Sequence, residues 1–139
     1  MMRAILLVSL FLIISSIVLG HDYHSQDNRR VFFISPLDGA SVKSPVEIKF
    51  GAIGIDIVPA GVDIPNSGHH HLLINIDKLP DMKSPIPSDE NHLHFGGGQT
   101  ETILDLPKGT HTLQLLVGNN LHIPHEIPLI SKKIEITIE

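Results

Sequence analysis

The chain of 139 residues contains no cysteine and no tryptophan, with only one tyrosine and five phenylalanines. Without cysteine, no disulfide stabilises the fold, and any metal site must use nitrogen and oxygen ligands. So few aromatic rings argue against a stacking platform for sugars or bases. The formal net charge of −5 argues against nucleic acid as a partner.

Patterns typical of catalysis are also missing. No arrangement of Ser, His and Asp, and no pair of carboxylates with separate acid and base roles, is recognisable. Met82 is the only methionine after residue 20, which excludes a thioether-rich Cu(I) site. These absences favour a binding protein over an enzyme.

The first 20 residues have the composition of a secretory signal peptide. One early cation, Arg3, precedes an apolar run that contains serines. We expect cleavage before His21 and a periplasmic or secreted protein without a membrane span; an uncleaved membrane anchor is the alternative. Residues 21–30 are polar and predict a flexible leader, which leaves residues 31–139 as a single domain.

The domain has the alternating pattern of β-strands and no helical period. Loops rich in proline and glycine separate short runs in which apolar and polar residues alternate. This pattern predicts an all-β fold, an immunoglobulin-like antiparallel β-sandwich of about seven short strands. The predicted strands cover residues 31–35, 45–53, 69–77, 92–95, 99–106, 110–118 and 131–139.

Three consecutive histidines begin the third predicted strand, in the sequence SGHHHLLINI that starts at Ser67. Successive side chains of a strand point to opposite faces. His70 therefore shares the core face with Leu72, whereas His69 and His71 point outward together.

Strand pairing predicts which other histidines lie near the triplet. If strands 69–77 and 110–118 are antiparallel neighbours, the triplet faces the end of the second strand and the loop that follows it. His111 then lies at the far end. A strand over 92–95 that returns antiparallel to 69–77 brings further histidines to the same end of the sandwich.

Imidazole is a suitable ligand for Zn²⁺ and Cu²⁺, and two histidines at i and i+2 of a strand point the same way. The sequence thus predicts a copper or zinc site, for which His70 is a possible additional ligand. In the alternative, these histidines only hydrogen-bond the loops. We assign structural roles to His111, Gly96, Gly97 and Gly98. The candidate metal ligands are His69, His71, His92, His94, His122 and His125.

Three stretches together resemble an exported bacterial family, the DUF4399 type of domain of unknown function. They are SPLDGASVKSPVEIKFG, GHHHLLI and HLHFGGGQTETILDLPKGTHTLQLLVGN, the last followed by an HxPH pattern at His122–His125. The resemblance covers residues 31–139. It implies a single exported β-rich domain and supplies no activity or catalytic residues.

Three functional hypotheses follow. The first is an exported protein that binds Cu²⁺ or Zn²⁺ for storage, delivery or tolerance, and exchanges it with a periplasmic protein. The second is a non-catalytic module that contacts a protein or glycan and whose histidines are structural. The third is a small copper redox enzyme, which requires an open coordination position and a substrate cleft that the sequence does not show.

Overall fold

The computed structural model describes residues 27–139, so the predicted signal peptide and most of the predicted leader lie outside the described residues. Residues 27–139 form nine strands and no helix. None of them therefore forms a helix that is long and apolar enough to cross a bilayer. The strands are β1 (Arg30–Ser35), β2 (Ser41–Val42), β3 (Val46–Ile53), β4 (Asp56–Ile57), β5 (Ser67–Ile74), β6 (His92–His94), β7 (Glu101–Leu104), β8 (Gly109–Gly118) and β9 (Ile134–Ile138).

The strands form two sheets, which confirms the predicted all-β sandwich. The smaller sheet has the order β1-β3-β7. The larger has the order β2-β9-β8-β5-β4, and β6 also pairs with β5. The seven predicted strands are all present, within a few residues of their expected ends.

Two strands, β2 and β4, were not predicted. Each has two residues and pairs in parallel, β2 with β9 and β4 with β5. The arrangement is therefore not purely antiparallel. A two-residue strand is too short to produce an alternating pattern, so the sequence gives no signal for it.

The main core lies between the sheets. It contains fully buried side chains from both sheets, among them Ile48 and Phe50 of β3, Leu72 of β5, and Leu113 and Leu115 of β8. These residues occupy alternate positions of their strands, as the period of two requires. The inner face of β5 is therefore the face that carries His70 and Leu72.

The outer face of β5 is also buried, although the sequence predicted it to point outward. Loop residues 75–91 and 119–133 cover it, and a second apolar cluster forms there from Leu73, Ile86 and Leu116. The backbone N–H of Ile86 donates to the carbonyl oxygen of His122 at 2.9 Å and so ties the two loops together. All eight residues of β5 are buried as a result.

Candidate metal centre

Strand register brings the first three histidines of the site together. On the outer face of β5, His69 lies opposite Gly118 of β8, and His71 lies opposite His94 of β6. Directly paired residues of adjacent strands have side chains on the same face. The rings of His71 and His94 are accordingly 5.1 Å apart, and those of His69 and His94 are 4.9 Å apart.

The fourth histidine, His122, comes from the loop after β8. Its ring centroid is 4.7 Å from that of His94 and 5.0 Å from that of His69. One ring nitrogen from each of the four residues lies within 4.8 Å of the others. We call His69, His71, His94 and His122 the four-histidine cluster.

The loop conformation that delivers His122 is held by hydrogen bonds from Asn119. The Asn119 side-chain oxygen accepts the N–H groups of Leu121 and Ile123 at 2.9 and 3.1 Å, and the Asn119 carbonyl accepts that of His122 at 2.9 Å. His122 has a positive φ of 67°. That conformation is uncommon for a residue with a side chain, and residues that adopt it cluster at functional sites.

Two glycines make room for the imidazoles. A Cβ atom at Gly118 would lie 2.9 Å from Cε1 of His71 and 3.1 Å from Cα of His122. A Cβ atom at Gly96 would collide with the His94 ring. The sequence predicted a structural role for Gly96 but none for Gly118, whose only signal was its place opposite the histidine triplet.

Burial favours the neutral form of His69, His71 and His94 by lowering the pKa of each. His69 and His71 are 0% and 1% exposed. Burial first, and then the neighbouring His94 and His122 rings, lower the pKa of His69 to about 4. Burial first, and then the neighbouring rings of His69, His94 and His122, lower the pKa of His71 to about 3. Burial and His122 also lower the pKa of His94. Neutral imidazole is the form that binds metals.

The distances within the cluster suit a shared ion. The Nε2 atoms of His69 and His94 are 3.1 Å apart. Two nitrogens bound tetrahedrally to one Zn²⁺ are about 3.3 Å apart, given bonds of about 2.05 Å. In addition, the buried Nδ1 atoms of His69, His71 and His122 have no hydrogen-bond partner among residues 27–139. The donor set therefore fits Zn²⁺ or Cu²⁺.

His92, His125 and His70 lie outside the cluster. His92 is two residues from His94 on β6, and its Nδ1 lies 2.8 Å from a carboxylate oxygen of Asp89. His125 Nε2 lies beside Gly68, 3.1 Å from where a Cβ would be, and Gly68 belongs to the inner face of β5. The structure thus joins four of the six predicted ligands and separates the other two.

His70 points into the core, as the alternation along β5 predicts. It is 0% exposed and its ring packs edge-on against Phe50, with centroids 4.9 Å apart. Neither ring nitrogen has a hydrogen-bond partner among the described residues. Burial lowers the pKa of His70 to about 4. The side chain therefore faces away from the cluster, and is held there as a neutral ring.

His111 has the hydrogen bonds of a structural histidine and lies at the far end of β8. Its Nδ1 accepts the side-chain amide of Asn75 at 3.0 Å, and its Nε2–H donates to the carbonyl oxygen of Pro107 at 2.8 Å. Both nitrogens are satisfied, in contrast to the buried nitrogens of the cluster.

The glycine run after β6 shapes the turn beside His94. Gly98 has a positive φ of 76°, and the Gly97 N–H donates to the side-chain oxygen of Gln99 at 2.8 Å. The side-chain oxygen of Gln99 is thus engaged with its own turn.

Comparison with known structures gives a match to an endo-beta-1,4-mannanase from Thermotoga petrophila, solved by X-ray crystallography. The match covers 87% of this chain and 21% of that chain, with 19% sequence identity and a TM-score of 0.47. The chain therefore spans about a fifth of the mannanase. A search of curated proteins gave no match.

A family model does match the chain. It is described as "Domain of unknown function (DUF4399)" and matches residues 48–139. This range is more than half of the chain and contains all four histidines of the cluster. The resemblance to this family is confirmed over residues 48–139, and the chain belongs to the DUF4399 family.

Proposed function

We propose that this protein is an exported metal-binding protein that holds Cu²⁺ or Zn²⁺ with the four-histidine cluster. Storage, delivery to a periplasmic partner, or tolerance of the metal are the roles that such a site serves. The observation that carries the proposal is the convergence of four ring nitrogens within 4.8 Å of one another. Export rests on the signal-peptide composition of residues 1–20.

Hydrogen bonding within the same protein argues for a metal over a purely structural role. His111 satisfies both of its nitrogens with protein groups. In the cluster, the buried Nδ1 atoms of three rings, those of His69, His71 and His122, have no such partner among residues 27–139. Buried polar groups without partners cost about 1–3 kcal/mol each. Metal binding provides the gain in free energy that offsets this cost.

The ligand types restrict the choice of metal. Four imidazoles and no thiolate suit Cu²⁺ and Zn²⁺, whereas Ca²⁺ and Mg²⁺ require oxygen ligands. Cu²⁺ binds more tightly than Zn²⁺ to a given nitrogen site in the usual order of affinities. We therefore expect copper to displace zinc in direct competition.

The test is the metal content and affinity of the exported protein. Elemental analysis of protein purified without added metal, followed by competition with a chelator, is expected to give close to one ion per chain. The His69→Ala/His71→Ala double variant is expected to lose this ion. The matched control is His92→Ala, which removes a histidine outside the cluster. Equal affinity in the double variant and the control would refute the proposal.

A further inference from the structure

The cluster contains no negative charge to balance a divalent ion. Its four ligands are neutral imidazoles, and no Asp or Glu of residues 27–139 belongs to the group. Two of the ligands, His69 and His71, are almost completely buried. A buried charge is stable only when it is paired, so a divalent ion here leaves two positive charges to be balanced.

The surroundings of the ligands do not supply the missing charge either. Histidines that bind metals usually donate their second nitrogen to a carboxylate or a carbonyl group. The Nδ1 atoms of His69, His71 and His122 have no partner of either kind among the described residues. The carboxylate of Asp89 does contact a histidine, but that histidine is His92, which lies outside the cluster.

The four rings differ in exposure. His94 is exposed, whereas His69 and His71 are buried and His122 is half-buried. His94 ends a strand of three residues, and the Gly96–Gly98 run follows one residue later, after Phe95. We call this side of the cluster the His94 edge. The other three rings are buried or half-buried, so we expect a ligand that reaches a bound ion from this edge to be small.

These observations concern the cluster proposed above to bind metal, and the inference rests on that function. We propose that the bound Cu²⁺ or Zn²⁺ takes one further ligand, a small monodentate anion from solution, which enters at the His94 edge. The anion lowers the net charge of the buried centre from two to one. It also makes the affinity for metal depend on the anion present.

The test uses azide, which binds Cu²⁺ through one nitrogen and gives an absorption band when it does so. The exported wild-type protein, loaded with one Cu²⁺ in chloride-free buffer, is titrated with sodium azide and followed by absorption and electron paramagnetic resonance. We expect a saturable 1:1 change in both spectra, with His92→Ala indistinguishable from wild type.

Replacement of the exposed imidazole by a carboxylate tests the charge argument directly. In His94→Glu, the chain itself supplies the negative charge, so we expect azide to bind at least tenfold more weakly to the copper-loaded variant. The wild-type titration alone decides the proposal if this variant does not take up copper.

The outcomes separate the inference from the proposed function. Wild-type protein that holds copper but shows no spectral change with azide overturns the anion proposal and leaves metal binding intact. Azide affinity that is unchanged in copper-loaded His94→Glu also overturns it. Wild-type protein that takes up no metal overturns both proposals.

Discussion

The Nε2 atoms of His69 and His94 lie 3.1 Å apart, although the two residues belong to different strands and are separated by 25 positions in the chain. Without metal, one of these nitrogens must carry a proton and donate it to the other. With metal, both donate their lone pairs to the ion. His94→Ala is therefore expected to lower the affinity for Cu²⁺ or Zn²⁺ by about 100-fold or more, beyond the 10- to 100-fold typical of outer-shell changes.

His92→Ala is the control for this prediction, because the two histidines lie on the same short strand. His92 contacts Asp89 and not the cluster. Chelator competition is expected to give wild-type affinity for this variant. A loss of affinity in His92→Ala as large as that in His94→Ala would contradict the assignment of ligands.

Two adjacent glycines offer a second matched pair. Gly96→Ala places a methyl group against the His94 ring, whereas Gly97→Ala meets only the flexible Gln99 side chain, at 3.0 Å. We expect Gly96→Ala to weaken metal binding by about tenfold or more through displacement of a ligand. Gly97→Ala is expected to bind like the wild type. Isothermal titration of both proteins with Zn²⁺ checks this, and equal affinities would show that the His94 ring need not stay in place.

The backbone at His122 predicts an unusual order of stabilities. Its φ of 67° suits glycine and strains alanine. In the presence of a chelator, His122→Gly is expected to be about 1 kcal/mol more stable to urea than His122→Ala. Both variants are expected to lose metal affinity, because each removes the same ligand. An alanine variant as stable as the glycine variant would mean that the loop relaxes when the imidazole is removed.

Acid is expected to destabilise the metal-free protein through His70. In the unfolded chain this ring takes up a proton as the pH falls below about 6.5, whereas burial keeps its folded pKa at about 4. The unfolded state therefore binds more protons in this range, and stability falls between pH 6.5 and 4. His70→Leu removes two unpartnered nitrogens as well as the titration. We expect it to raise the free energy of unfolding by about 1–3 kcal/mol. It is also expected to reduce this pH dependence without abolishing it, because burial lowers the pKa of His69 and His71 in the same direction.

Urea unfolding at several pH values, with a chelator present, measures both effects. His70 faces the core, so the metal affinity of His70→Leu at pH 7.5 is expected to match that of the wild type. A variant that is less stable than the wild type at pH 7.5 would show that packing of the imidazole against Phe50 outweighs the cost of its unpartnered nitrogens.

The sandwich was predictable because one physical signal, the alternation of apolar and polar residues, sets both the strand positions and their faces. It correctly separated His70 from His69 and His71 on β5. The same signal could not reveal that the outer face is covered. Leu73 on that face packs against Ile86 from a loop rich in proline, and no periodic pattern in the sequence links those two residues.

The limits of prediction in the site have a similar cause. Histidines two apart on a strand point to the same face, but this spacing does not decide whether their rings converge. The rings of His69 and His71 on β5 lie 4.9 Å apart in the cluster, whereas on β6 His94 lies at the cluster and His92 lies beside Asp89. His122 and His125 share one loop, where no period applies. His122 has a positive φ and lies in the cluster, whereas His125 lies against Gly68 on the inner face of β5.

The four histidines of the cluster come from three separate segments of the chain: β5, β6 and the loop after β8. A bound ion therefore acts as a cross-link in a protein that has no cysteine to form one. At a free ion concentration of about 1,000 times the dissociation constant, it adds about 4 kcal/mol of stability. If the protein binds metal as proposed, removal of the ion is expected to increase amide exchange in β6, which has only three residues, and in the loop that carries His122. Amide hydrogen exchange in those two segments then serves as a measure of whether the protein is loaded.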